Sequence, residues 1–227
     1  MILMPPPAPS RLLSDVPVTA KICGLTTLET LDAALSGGAS HVGFVFFPAS
    51  PRHLTLETAT GLAGRVPTHV QRVGVFVDPE DALVEAAVKA GRLDAIQLHK
   101  TPPARVAAIR ATFGRDVWAA VAVKTGADLA QAAHYAGTAT RLLYDAKTPE
   151  TAELPGGMGL RFDWRLLEGF RHPLPWALSG GLDAGNVTEA VRRTSATLVD
   201  VSSGVESAPG VKDKGRVLAF LKAVQSL

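Results

Sequence analysis

The sequence predicts an α/β fold, a single closed (β/α)8 TIM barrel with a short proline-rich N-terminal extension, and three observations carry that expectation. Eight apolar runs rich in Val, Ile, Leu and Phe alternate with helical, alanine-rich segments from residue 18 onward. The runs are nearly continuous in apolar residues, as in parallel strands covered on both faces. Eight strand–helix units within 227 residues suit one closed barrel better than an open doubly wound sheet.

Taken in order, residues 1–16 include Pro5, Pro6, Pro7 and Pro9. Successive prolines favour an extended tail, and the segment lacks the apolar stretch of a signal peptide. The expected division is therefore a flexible extension over 1–16 and a barrel over 17–227. Strands are expected at 18–22, 41–46, 71–77, 95–98, 117–121, 141–144, 176–178 and 197–201. Helices are expected at 27–35, 56–64, 79–90, 103–113, 185–193 and 212–224. Thr26 or Thr27 is placed to cap the first helix. Gly37-Gly38, Gly91 and Gly114 stand where left-handed glycines end helices. The fifth helix, 127–136, is short, and 146–161 reads as a Gly/Pro-rich loop. Long loops at that end of a barrel usually carry function.

Composition narrows the function classes. A hydrophobic fraction of 47% with 19% charged residues describes a globular chain, not a disordered one. Net charge is +2 with both signs interspersed and aromatics are 6%, so no nucleic-acid surface is indicated. No apolar run reaches membrane-spanning length. A single cysteine leaves no intrachain disulfide and suits a reducing, cytoplasmic setting.

Active-site groups of such a barrel come from the C-terminal ends of strands and the loops that follow. Lys21, Cys23, Arg52, Asp78 and Asp145 fall there, as do Gln97 and His99. Cys23 ends the first strand, where it can serve as a reactive thiol or as a small buried apolar residue. Lys21 shares its face and favours a thiolate. Asp200 of the last strand is expected to pair with Lys21 across the closure, so that the pair tunes Cys23. Asp145 can hold a proton near neutrality and act as an acid, or cap its loop, or pair with Lys147.

Arg52 lies between prolines and histidine in Ser50-Pro51-Arg52-His53. Its planar fork suits a carboxylate, though a solvated arginine is commoner. Gly180 and Gly181 after the seventh strand, with Ser203 and Gly204 after the eighth, form a matched pair of small-residue turns. Such turns offer N–H groups to a phosphate, although glycines also serve plain tight turns. Gln97 and His99 share a strand face and are expected to be hydrogen-bonding wall residues. The six histidines are scattered without metal-ligand spacing, so no metal is expected.

Together these motifs closely resemble the phosphoribosylanthranilate isomerase family. They are Lys21-Ile-Cys-Gly24, Gly43-Phe-Val-Phe-Phe-Pro-Ala-Ser-Pro-Arg52, Val73-Gly-Val-Phe-Val77, Ile96-Gln-Leu-His99 and Leu143-Tyr-Asp145. Further along come Gly156-Gly-Met-Gly-Leu-Arg-Phe-Asp-Trp164, Leu178-Ser-Gly-Gly-Leu182, Val199-Asp-Val-Ser-Ser-Gly-Val-Glu206 and Pro209-Gly-Val-Lys-Asp213. The resemblance runs from Lys21 to the C-terminus. It implies a (β/α)8 barrel that carries out the Amadori rearrangement of N-(5-phosphoribosyl)anthranilate in tryptophan biosynthesis. It also implies Cys23 as general base, Asp145 as general acid and Arg52 as holder of the anthranilate carboxylate. Gly180, Gly181, Ser203 and Gly204 would bind the phosphate, with no cofactor or metal. The expected partner is the small-molecule substrate, with no nucleic acid and no membrane. Monomer and homodimer both stay open.

The chain departs from the family pattern at Lys100 (usually Gly), Met158 (usually Thr), Ser179 (commonly Ala) and Tyr144 (frequently Leu). None is one of the acid–base pair. An indole-glycerol-phosphate synthase would need a lysine acid and further strand-tip carboxylates, and a non-catalytic scaffold barrel would not need Cys23, Asp145 and Arg52 together. The related histidine-pathway aminoaldose is not expected as a substrate, because barrels that accept it usually carry two carboxylates in place of the cysteine–aspartate pair.

Overall fold

Eight parallel strands follow one another around a closed barrel in sequence order, β8 returning to pair with β1. This computed structural model describes residues 16–149, 154 and 156–227. Apart from Val16, the expected N-terminal extension lies outside the described residues. The strands are β1 (Thr19–Cys23), β2 (His41–Val45), β3 (Gln71–Val77), β4 (Ala95–His99), β5 (Asp116–Val123), β6 (Arg141–Ala146), β7 (Trp176–Leu178) and β8 (Leu198–Val201). Around them lie α1 (Leu28–Ser36), α2 (Leu56–Ala63), α3 (Asp81–Ala90), α4 (Pro103–Phe113), α5 (Gly126–Ala130), α6 (Val187–Thr194) and α7 (Lys214–Gln225). All eight strands stand where the apolar runs predict them, with ends displaced by at most two residues. The displacement matters at β1, β4 and β6, which run on to include Cys23, His99 and Asp145. These polar side chains are therefore fixed by sheet hydrogen bonding rather than by loops.

Two apolar layers hold the barrel. Outward-facing Ile22, Val42, Phe44 and Leu98 pack with helix residues such as Leu31, Ala87 and Phe220 in the larger core. A separate inner cluster of Val73, Ala95, Trp118, Leu143, Ala177 and Leu198 fills the barrel interior. Arg141 lies over the Trp118 ring at 5.2 Å, and His41 meets the same ring edge-on at 5.3 Å. The interior is thus a packed core, and the C-terminal end is left for chemistry.

Local signals decide the helix ends. Thr27, not Thr26, caps α1, accepting from the Thr30 N–H at 3.3 Å. Gly38 and Gly114 are left-handed as expected, but Gly91 is not; the left-handed residue after α3 is Arg92, at φ 46°. The fifth unit is the short α5 followed by a 3-10 turn, Gln131–Tyr135, and among the described residues the sixth has the 3-10 turn Trp164–Leu167 and no α-helix. The last helix starts later than its periodicity suggests. Residues Glu206–Ala208 (β9) and Val211–Lys212 (β10) form a small antiparallel hairpin before it.

Two of the four departures have a visible structural counterpart here. Tyr144 is fully buried, and its hydroxyl lies 3.1 Å from His172 Nδ1, a contact a leucine cannot make. Lys100 sits at φ 51°, where a side chain is strained by roughly 1–2 kcal/mol. That conformation is the physical reason glycine suits this position. Lys100→Gly is expected to stabilise the fold by about 0.5–1 kcal/mol after the glycine's extra unfolded-state entropy is set against the relieved strain. Urea denaturation checks this, and a lower midpoint would contradict it.

Candidate active site

The C-terminal end of the barrel opens into one cleft, lined among others by Cys23, Arg52, Gln97, His99, Asp145 and Ser203. At its floor β8 and β1 place Lys21 directly beside Asp200 in register. Lys21 Nζ donates to Asp200 Oδ1 at 2.7 Å with its side chain wholly buried. The expected pair therefore forms. Burial works against the Lys21 charge, but Asp200 outweighs it and holds the ammonium above its ordinary range. Ser179 Oγ donates to the other oxygen of Asp200 at 3.0 Å, a bond that alanine could not supply.

Cys23 lies opposite Gly43 on β2. A Cβ on Gly43 would stand 2.9 Å from Cys23 Sγ and 3.2 Å from Lys21 Nζ, so the glycine makes room for both. Lys21 acts on the thiol in the expected direction, toward the thiolate, but burial acts against it. Burial pushes Cys23 above its ordinary range and Asp200 adds to the rise, while Lys21 and Lys212 pull the other way without prevailing. The free protein accordingly favours the thiol form of Cys23, because burial outweighs the pull of Lys21.

Asp145 is the second acid of the cleft. Burial, followed by the charge of Asp200, pushes its carboxyl up to about 7, against the pull of the Ala146 N–H and Lys21. Its Oδ1 accepts that N–H at 2.8 Å. Lys147 pairs with Asp128 at 2.7 Å. Beside Asp145, Gln97 Nε2 lies 2.8 Å from His99 Nε2, so these two are the hydrogen-bonded wall residues expected. Burial and the Lys21 charge bring His99 down to about 4, leaving it neutral. Gln97 Oε1 is buried with no hydrogen-bond partner among the described residues. Asp78, grouped with the rim by sequence, does not line the cleft.

Arg52 is neither solvated nor free. Its Nε and Nη2 donate to the two oxygens of Glu206 at 2.7 and 2.8 Å, and Nη2 also donates to the Gly157 carbonyl at 2.9 Å. Gly24, at φ 77°, leaves space for its stem: a Cβ there would lie 2.7 Å from Arg52 Cδ. Glu206 Oε1 also receives Lys212 Nζ, which donates in addition to Ser202 O at 3.1 Å. Burial resists the Glu206 charge, but the two cations hold its carboxyl below the usual range. Sequence reasoning did not single out Glu206 or Lys212. Both lay inside motifs used for the resemblance, and only the hairpin reveals that they meet.

Across the cleft, the turns after β7 and β8 bring Gly180, Gly181 and Ser203 to one wall. The N–H groups of Gly180, Gly181, Ser203 and Gly204 donate to no acceptor among the described residues. Gly180 and Gly181 are both left-handed, at φ 86° and 62°. Gly204 packs so closely on the Leu182 carbonyl that a Cβ would not fit. Among the described residues, no group of three His, Cys, Asp or Glu is disposed to hold a metal ion.

Residues 20–223 match the family model described as N-(5'phosphoribosyl)anthranilate (PRA) isomerase. The chain belongs to the phosphoribosylanthranilate isomerase family. It is 54% identical over 212 residues to the N-(5'-phosphoribosyl)anthranilate isomerase of Zymomonas mobilis subsp. mobilis, covering 92% of this chain and 99% of that protein. Against the isomerase of Rhodospirillum centenum it is 53% identical over 214 residues, 93% of this chain and all of the other. The crystal structure of the Thermotoga maritima phosphoribosyl anthranilate isomerase superposes with a TM-score of 0.83 at 38% identity, over 92% of this chain and 100% of that one. A phosphoribosyl anthranilate isomerase in complex with reduced 1-(o-carboxyphenylamino)-1-deoxyribulose 5-phosphate superposes at 0.80 with 34% identity, over 92% and 100%. Among the described residues of this family member no helix is long and apolar enough to cross a membrane.

The raised Asp145 value has a consequence for stability. The folded chain keeps a proton on Asp145 up to about pH 7, whereas the unfolded chain releases it near 3.8. The unfolded state therefore binds fewer protons in that window, and this group's contribution to stability falls as pH rises through it. Asp145→Asn removes the effect. Its thermal midpoint is expected to exceed that of the parent at pH 8, with the gap growing between about pH 4 and 7 and then levelling. A gap independent of pH would contradict a desolvated carboxyl.

Proposed function

We propose that this chain isomerises N-(5-phosphoribosyl)anthranilate to 1-(2-carboxyphenylamino)-1-deoxyribulose 5-phosphate, a step of tryptophan biosynthesis in the cytoplasm, by general acid–base catalysis. The observation that carries this reading is one cleft holding a thiol, a carboxyl poised near neutrality, a buried arginine and a wall of N–H groups without acceptors. The substrate has a carboxylate at one end and a phosphate at the other. Arg52 takes the first, and the turns bearing Gly180, Gly181, Ser203 and Gly204 take the second, so that the ribose is held between Cys23 and Asp145. Fixing both ends removes much of the entropic cost of bringing the reacting groups together.

Protonated Asp145 donates to the furanose oxygen as the C1′–O bond breaks, leaving a Schiff base at C1′. Cys23, as thiolate, then takes the C2′ proton. The C2′–H electrons form the C1′–C2′ double bond of an enolamine, which tautomerises to the ketose. The chemistry needs the proton on Asp145 and the negative charge on Cys23, the minority distribution in the free protein. Lys21 and Lys212 favour that arrangement by acting on the thiolate. The low dielectric of the cleft raises the cost of the alternative in which both groups are charged. The protein acts as a monomer or a homodimer, on a small molecule alone and without cofactor.

Loss of the anthranilate fluorescence on turnover is the direct assay. Cys23→Ala and Asp145→Asn are each expected to lower kcat by about 10²–10⁴-fold with substrate affinity nearly kept. Near-normal turnover in either would overturn its role. Arg52→Met is expected to act mainly through KM, since the carboxylate is gripped equally in ground and transition states. A pure kcat defect would contradict the carboxylate contact.

A further inference from the structure

We propose that Glu206 and Lys212 are positioning residues for carboxylate recognition: Glu206 fixes which edge of Arg52 meets the substrate, and Lys212 restores the positive charge that Glu206 would otherwise cancel. This rests on the reading that Arg52 receives the anthranilate carboxylate.

The geometry allots each donor of Arg52. Glu206 occupies the Nε–Nη2 edge with both oxygens, and the Gly157 carbonyl takes a second donor of Nη2. Nη1 is left toward Gly157 and the cleft; a Cβ on Gly157 would lie 2.7 Å from it. A guanidinium pinned in this way presents the two donors of Nη1 to a ligand, instead of sampling several rotamers at an entropic cost.

Charge supplies the second half of the argument. A buried Arg52–Glu206 pair alone is neutral and offers an anion little attraction. Lys212, whose side chain is wholly buried, makes the cluster net positive by one charge inside a poorly screened site. The hairpin has a clear task in this light: an irregularity between Val211 and Lys212 brings Lys212, on β10, opposite Glu206 on β9. Gly210 of the same hairpin donates its N–H to Glu206 Oε2 at 3.2 Å. The ammonium of Lys212 reaches the Ser202 carbonyl and hydroxyl, and that hydroxyl donates to the Cys23 carbonyl at 3.3 Å. The cluster thus ties the carboxylate end of the cleft to the thiol end.

The test compares N-(5-phosphoribosyl)anthranilate with N-(5-phosphoribosyl)aniline, the same aminoaldose without the carboxylate, product formation being followed by chromatography. For each protein the ratio of the two kcat/KM values measures carboxylate preference. Because both values come from one sample, partial unfolding cancels. Glu206→Gln and Lys212→Met are each expected to lower the ratio by about tenfold or more, chiefly by raising KM for the carboxylate substrate. Lys212→Arg should recover most of what Lys212→Met loses. Equal losses on both substrates, or an unchanged ratio, would overturn the proposal even if Glu206→Gln cannot be purified, since Lys212→Met reads the same quantity. A parent protein active on both substrates without preference would overturn it together with the Arg52 reading. A parent inactive on both would fail the isomerase reading itself.

Discussion

A lysine and an aspartate buried side by side where β8 closes on β1 set the electrostatics of the whole cleft. Neither charge would survive alone at this depth, since removing one partner of a buried pair typically costs about 3–5 kcal/mol. Together, at 2.7 Å, they are tolerated, and Ser179 completes the coordination of Asp200. The pair is not neutral in its effects, however, because its two charges act in opposite directions on the reacting groups. Asp200 pushes both Asp145 and Cys23 toward their protonated forms, while Lys21 pulls each the other way and also keeps His99 uncharged. Burial is the larger influence on all three groups; the pair adds to it at Asp145 through Asp200 and at His99 through Lys21, and at Cys23 Lys21 works against it.

The same device recurs at the rim with a different balance. Arg52, Glu206 and Lys212 are all buried, and the odd number of charges leaves the cluster positive. The floor pair balances its charge internally, whereas the rim cluster is left able to attract an anion. Between them the cleft is shaped by absences of side chain. Gly43 clears space for Cys23 and Lys21, and Gly24 for the stem of Arg52. Across from them the turns at Gly180 and Gly181 expose N–H groups that a bulkier, right-handed backbone would turn away.

Much of this was readable in the chain. The eight apolar runs fixed the strands because continuous burial on both faces leaves few other options for their residues, and the strand tips then collected Cys23, Asp145, Gln97 and His99 at one end. The Lys21–Asp200 pair followed from the closure, since β1 and β8 must be neighbours in a closed barrel. The helices were less legible. Among the described residues the sixth unit shows a 3-10 turn at Trp164–Leu167 in place of an α-helix, and the segment before α7 turns out to be a hairpin. Its two strands are too short for any periodicity to show.

What the sequence determined by itself was the architecture and the identity of the polar groups at the cleft, because both follow from local pattern and strand order. What only the tertiary structure decided was the state of those groups. Burial holds Cys23 toward its thiol form, and Arg52 is gripped by Glu206 and not open to solvent. Each of these outcomes depends on burial and on charges brought together from positions far apart in the chain, such as Arg52 and Glu206. Desolvation and Coulomb interaction depend on distance in space, which separation along the chain does not encode.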